Sequence, residues 1–249
     1  MKHAKIENSQ LTFTDGRFYQ REDGRWVPSV TTVLEAYPKP YALLQWMKEQ
    51  GHKTDEIIAA AGRRGTSVHN MTEAYDRGEE VTLFDSEGRP NCTLEEWGMF
   101  ERYVEFCEVA HPEWEEIESR YIGEHYAGTI DRVGHIPGVG RVILDIKTSN
   151  GIYDTYWMQT AAYRSLYDTA SPGDRSDGCA ILWLNAKTRG PAKDKKQGKG
   201  WQLLTQMDAA EHGRLMLLFT QVFAVWDAST AAKEPRQWVY QLRHRRADV

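Results

Sequence analysis

The sequence predicts an α/β protein, and three observations carry that expectation. A strand–turn–strand unit fills 128–147, segments with helical caps and periodicity flank it on both sides, and 179–184 (Cys-Ala-Ile-Leu-Trp-Leu) reads as a buried strand. A chain of 249 residues is long enough for a full core, so a single domain over 1–249 with additions is expected. Its parts would be an N-terminal hairpin and helical addition over 1–62, a core over 63–206, and a C-terminal helix and tail over 207–249.

Leu11-Thr12-Phe13-Thr14 and Arg17-Phe18-Tyr19 flank Asp15-Gly16, a pair suited to the two-residue type I′ turn, and so read as a hairpin. A second turn, Asp23-Gly24, leads into Arg25-Trp26-Val27. Pro28-Ser29-Val30-Thr31-Thr32-Val33-Leu34 opens a short helix capped by Ser29. A helix over 41–50 is stopped by Gly51, and a short one covers 54–61. Thr66 or Ser67 then caps a helix ending at Gly78, on which His69 and Glu73 share a face. Thr93-Leu94-Glu95-Glu96 is a capping box for a helix running to Ala110. In the strand 113–121, alternation places Ile117, Ser119 and Tyr121 on one side and Glu116, Glu118 and Arg120 on the other.

Strands 129–136 and 142–147 follow, joined by Pro137-Gly138-Val139-Gly140. Asp154 caps a helix over 155–168 that carries Gln159 and Tyr163 on one face. After the buried strand comes a polar loop over 187–199, then a strand over 201–205. A helix capped by Asp208 reaches 226, and the tail holds Arg243-His244-Arg245-Arg246. No internal repeat is visible.

Composition narrows the class. Hydrophobic content of 41% with 27% charged residues is that of a soluble globular protein. No apolar run is long enough to span a bilayer and Met1-Lys2-His3-Ala4-Lys5 leads into no apolar signal core, so no membrane contact and a cytoplasmic location are expected. Cys92, Cys107 and Cys179 are widely spaced and fit no metal-ligand pattern. A net charge of −5 excludes a generally basic nucleic-acid coat, so contact with a polyanion would have to be local. Local candidates are Arg63 and Arg64 and the loop cations Lys187, Arg189, Lys193, Lys195 and Lys196, although such runs are most often merely solvated.

The chemistry concentrates at 128–147. Side chains alternate along a strand, so Asp145 and Lys147 project together while Ile146 turns into the core. With Asp131 on the neighbouring strand, two carboxylates and an ammonium converge on a site for a hard cation. The residues alone also permit a strand-edge salt bridge. They equally permit His69 as a polar residue on a helix, Glu118 on a solvated face, and Tyr163 in the core.

Gly128-Thr129-Ile130-Asp131 followed by Asp145-Ile146-Lys147 resembles the PD-(D/E)XK nuclease superfamily. Gly65-Thr66-Ser67-Val68-His69 upstream and Gln159-x-x-x-Tyr163 downstream complete a pattern similar to its RecB-like exonuclease branch, and Pro28-Ser29-Val30-Thr31 resembles phage-type and mitochondrial genome maintenance exonucleases. The resemblance spans 28–184 and implies an α/β/α restriction-endonuclease-like core with a mixed central sheet. It implies Mg²⁺ or Mn²⁺ held by His69, Asp131, Asp145 and the Ile146 carbonyl, with Glu118 or Glu73 as a further acid. Asp131, Asp145, Lys147, Gln159 and Tyr163 would form the catalytic set.

With three scattered cysteines where some relatives carry four, no iron–sulfur cluster is expected. The function implied is metal-dependent DNA exonuclease in phage or bacterial recombination, repair or processing. Its partners would be single-stranded or duplex DNA ends, with a single-strand-binding or annealing protein. A structure- or site-specific endonuclease, or an end-binding module with decayed chemistry, would keep the same motifs. Helical material before the core would roof the site, with Tyr37, Tyr41 and Trp46 available to stack on bases.

Overall fold

The computed structural model describes residues 4–7, 10–14, 16–189, 196–231 and 233–241, with side chains described for 16–186, 200–231 and 233–238. Five strands form the central sheet in the order β5-β6-β7-β8-β9: β5 (Glu113–Ile122), β6 (Ala127–Ile136), β7 (Gly140–Lys147), β8 (Gly178–Arg189) and β9 (Lys196–Gln206). Neighbours are antiparallel except β7 and β8, which run parallel with Asp145 opposite Ile181 and Lys147 opposite Trp183. A parallel step needs a crossover, supplied here by α5 (Asp154–Ala170).

Helices cover both faces. On one, α1 (Val30–Leu34), α5 and α6 (Ala209–Ser229) pack Val33, Met158, Ala162, Phe219 and Trp226 against Val133 and Ile143. On the other, α3 (Thr54–Asp76) and α4 (Leu94–Ala110) pack Val68, Met99, Tyr103 and Phe106 against Val142, Leu144, Ile146 and Leu182. β7 therefore feeds the two cores alternately, and this alternation turns Ile146 inward. The α/β class, the mixed central sheet and the helical additions match expectation.

The N-terminal hairpin differs from expectation. β2 (Gln10–Thr14) pairs with β1 (Ala4–Glu7) and with β10 (Gln237–Gln241), so both ends of the described chain share one sheet. β3 (Phe18–Gln20) pairs instead with β4 (Trp26–Pro28) across Asp23-Gly24. That turn is closely tied. Asp23 Oδ1 accepts the Arg25 N–H at 3.0 Å, Gly24 N donates to Arg21 O at 3.0 Å, and Gly24 takes φ +82°, which only glycine adopts freely. Asp15 lies outside the described residues.

Caps behave largely as expected. Ser29 accepts from Thr32 N, the Thr93–Glu96 capping box closes, Asp208 accepts from Ala210 N, and α2 (Tyr41–Gln50) ends at Gly51. At α5 the N-cap position falls on Tyr153, and Asp154 sits in the first turn, where a carboxylate suits the positive helix end.

α3 is the larger correction. Two helices were expected, with Thr66 or Ser67 capping the second, but 54–76 is continuous through Gly62 and Gly65. Thr66 Oγ1 bonds back to Gly62 O at 3.2 Å, within the helix. Each glycine costs ~1 kcal/mol relative to alanine, too little to stop a helix that tertiary packing holds at Val68 and Thr72.

The polar loop expected over 187–199 is also revised, since its ends belong to β8 and β9. Lys193 and Lys195, the side chains of Lys187, Arg189 and Lys196, and the tail arginines Arg243, Arg245 and Arg246 lie outside the described residues. Among the described residues no helix is long and apolar enough to cross a membrane.

Candidate active site

The end of β7 meets the first turns of α5. Asp145 is 2% exposed, and Lys147 Nζ lies 2.7 Å from its Oδ2. Gln159 ties the pair together: its Nε2 donates to Asp145 Oδ1 at 2.9 Å and to the Tyr163 hydroxyl at 3.1 Å, while its Oε1 accepts from Lys147 at 3.0 Å. The ammonium also sits 4.4 Å from the centre of the Tyr156 ring, a cation–π contact.

Burial pulls the Lys147 pKa down, but Asp145 and Asp131 outweigh it and raise the value, so the lysine stays charged. Burial pushes Asp145 up to about 6, against the pull of Lys147, and leaves it ionised at neutral pH. Its neighbours thus favour the charged form of Lys147.

A second group of donors faces this pair. Ligand atoms of His69, Glu118 and Asp131 lie within 4.8 Å of one another. His69 Nε2 is 3.0 Å from Ile146 O, and its Nδ1 lies 3.6 Å from Asp131 Oδ2 and 3.8 Å from Glu118 Oε1. Asp131 Oδ2 in turn accepts the Ile146 N–H at 2.7 Å, so the backbone of Ile146 is held at both its N–H and its carbonyl. With Nε2–H donated to the carbonyl, Nδ1 faces two carboxylates, which either a proton on Nδ1 or a bound cation can satisfy. Burial alone would lower the His69 pKa, but Asp131, Glu118 and Asp145 raise it from 6.5 to about 9.

Glu118 reaches this position through its backbone. Its φ is +52°, one of two positive values among described non-glycine residues, and such a conformation costs ~1–3 kcal/mol. Alternation is broken there: the Tyr121 hydroxyl donates to Glu116 at 2.7 Å, although strict alternation separates these residues.

The donor set suits a divalent cation. Carboxylate oxygens and one imidazole converge, and the buried Asp145 Oδ2 completes no hydrogen bond despite the nearby ammonium. Of the other expected residues, Glu73 is engaged by Arg77 at 2.9 Å, outside the cluster. The Ile146 carbonyl faces His69. Arg63 is exposed, whereas Arg64 reaches Thr148 O at 3.4 Å and Glu95 at 3.5 Å.

Sequence reading missed the wall behind the cluster. Arg132, 0% exposed, bonds Asp76, Thr72 and the Asp131 carbonyl, and Tyr103 donates to Asp76. One signal for it was present: Asp76 lies seven residues beyond His69 on the same helix face.

The paired Gly-Thr-Ile-Asp and Gln-x-x-x-Tyr motifs also have a steric link. A Cβ on Gly128 would lie 2.3 Å from Tyr163 Cε1, so the tyrosine ring occupies the space a side chain there would need. Tyr163→Phe removes the hydroxyl that accepts from Gln159, freeing an amide that aligns both Asp145 and Lys147. Turnover is expected to fall ~10-fold, roughly 1.4 kcal/mol, with the metal midpoint unchanged. Normal kinetics in a merely less stable variant would return Tyr163 to a packing role.

Comparison with known proteins adds two distant likenesses. No family model matches the chain, and no curated protein matches it significantly. A provisionally named exonuclease from Eubacterium rectale superposes with a TM-score of 0.42 at 14% identity, over 83% of this chain and 82% of that one. A phage-related exonuclease from Haemophilus somnus 129PT gives 0.32 at 13% identity, over 81% and 94%. Both are too remote to bear on fold or reaction.

Proposed function

We propose that this chain is a divalent-metal-dependent deoxyribonuclease of the RecB-like PD-(D/E)XK type, acting as an exonuclease. The observation that carries the reading is His69 Nδ1 facing Asp131 and Glu118 beside the buried Asp145–Lys147 pair. His69, Glu118, Asp131 and Asp145 would hold Mg²⁺ or Mn²⁺, the imidazole favouring Mn²⁺. When bound, the ion supplies charge neutralisation at the phosphate and a more acidic water.

The chain does the remaining work. Lys147, charged and aimed by Gln159, stabilises negative charge building on the scissile phosphate and orients the attacking water. Gln159 keeps Asp145 and Lys147 in register, and Tyr163 props Gln159.

Exonuclease action is favoured by the helices ahead of His69. α2 has no buried residue, and Tyr41, Leu43, Leu44, Ile57 and Ile58 are exposed, giving an arm that can confine a threaded strand. Trp46 is half-buried, and Tyr37 packs on the core. DNA ends would be the substrate, in phage or bacterial recombination or repair, with a single-strand-binding or annealing protein as partner.

The direct test digests end-labelled linear single- and double-stranded DNA with Mg²⁺ or Mn²⁺. Nucleotide release that EDTA abolishes is expected; no release under any condition would leave an end-binding module. Metal binding should also release protons. Metal-free His69 is protonated at pH 7, since its pKa lies near 9, and a ligand must be neutral. In the metal-free protein its stabilising contribution is complete below pH 6.5 and is lost as pH rises through about 9. Calorimetric titration with Mn²⁺ at pH 7 should therefore depend on buffer ionisation heat, and His69→Ala should remove most of that dependence. Buffer-independent heats would exclude His69 as a ligand.

A further inference from the structure

We infer that Arg132 is a positioning residue that holds Glu118 in the metal cluster; the inference rests on the metal-site reading above. Arg132 is fully buried, and a guanidinium is buried only when its N–H groups are spent. Its Nε donates to Asp76 Oδ2 at 2.5 Å, its Nη2 to Thr72 Oγ1 at 3.2 Å, and its Nη1 to Asp131 O at 2.6 Å. Asp76 is fixed from behind by the Tyr103 hydroxyl at 2.5 Å, which itself accepts from Trp114 Nε1 at 3.1 Å.

Asp76 and Thr72 alone would serve a purely structural arginine. Nη1 does something else. It also lies 3.5 Å from Glu118 Oε1, the same oxygen that stands 3.8 Å from His69 Nδ1. Glu118 is the cluster member with the least settled backbone, at φ +52° on an edge strand. One planar cation thus joins helix α3, the backbone of Asp131 and the carboxylate of Glu118. It places a guanidinium directly beside the Glu118 carboxylate and so fixes where that carboxylate points. Lysine cannot reproduce this, because an ammonium lacks the flat fork that addresses three directions at once.

The test is calorimetric titration of the full chain with Mn²⁺, without DNA, alongside thermal melting. Groups that orient metal ligands typically change affinity by ~10–100-fold, so Arg132→Lys should weaken Mn²⁺ binding at least ~10-fold. Glu118→Gln should weaken binding in the parent chain and have little further effect in the Arg132→Lys background, because both changes disable the same ligand. Parent-like Mn²⁺ affinity in a folded Arg132→Lys protein with a lowered melting temperature would overturn the inference, as would fully additive effects of the two substitutions. If Arg132→Lys does not fold, Thr72→Val removes one partner of the guanidinium at nearly constant shape. A roughly three-fold loss of affinity supports the clamp, and none overturns it. Absence of Mn²⁺ binding by the parent chain would sink the metal-site reading itself, an outcome distinct from equal binding by parent and variant.

Discussion

Asp145→Asn, Asp131→Asn and Lys147→Met should each lower nucleotide release by ~10³-fold or more, on the order of 4 kcal/mol of transition-state stabilisation. Asp145→Asn is the most informative of the three. It preserves shape and can keep the Gln159 contact, while removing the charge that a cation and Lys147 both require. Lys147→Met carries a second cost, because it strands a carboxylate that is 2% exposed; breaking one side of a buried pair typically costs ~3–5 kcal/mol. Its kinetics must be read on protein shown to be folded by melting and circular dichroism. Asp131→Asn disturbs both the cluster and the Ile146 N–H that its Oδ2 accepts. Retention of a tenth of parent activity by folded Asp145→Asn protein would refute the catalytic assignment.

A closed circle of single-stranded DNA should survive conditions that degrade the same sequence in linear form. The difference expected is close to all-or-none, because the proposed arm, α2 with the first turns of α3, comes ahead of His69 on that same α3. On the proposed reading, a strand confined by such an arm would enter by an end. Gel analysis of both forms over a Mn²⁺ time course decides the matter. Comparable cutting of circle and line would replace the exonuclease reading with an endonuclease one. Truncating exposed side chains of the arm, Tyr41 first, tests the same idea from the protein side, since base–aromatic stacking contributes ~1–3 kcal/mol per base where it occurs.

The legible parts of this sequence were those governed by short-range rules. Capping residues marked the starts of α1, α4 and α6, and strand alternation put Asp145 and Lys147 together with Ile146 behind them. Illegible parts depended on partners far along the chain. Leu11–Thr14 looked like half of a local hairpin, yet β2 finds its second neighbour at Gln237–Gln241. The expected cap at Thr66 or Ser67 put a break where α3 is continuous, because capping preference is local and ignores packing further along the helix. Glu118 was legible as an acid near the site but not as a left-handed residue, since no local pattern demands a positive φ from glutamate. Arg132 was overshadowed by Asp131 beside it, and the only hint of its partner was Asp76 on the His69 face of α3.

The contact between Gly128 and the Tyr163 ring makes two stretches of sequence, more than thirty positions apart, into one mechanical part. A methyl group at 128 would act as a wedge. It would push the ring away from the strand, drag the Gln159 amide with it, and spoil the aim of Lys147 without touching a single polar atom of the site. Drift at position 128 is therefore closed to this protein unless residue 163 shrinks at the same time, and a smaller residue there would surrender the hydroxyl that steadies Gln159. The two positions are locked to each other by volume, so a glycine with no chemistry of its own bears on the geometry of the candidate site.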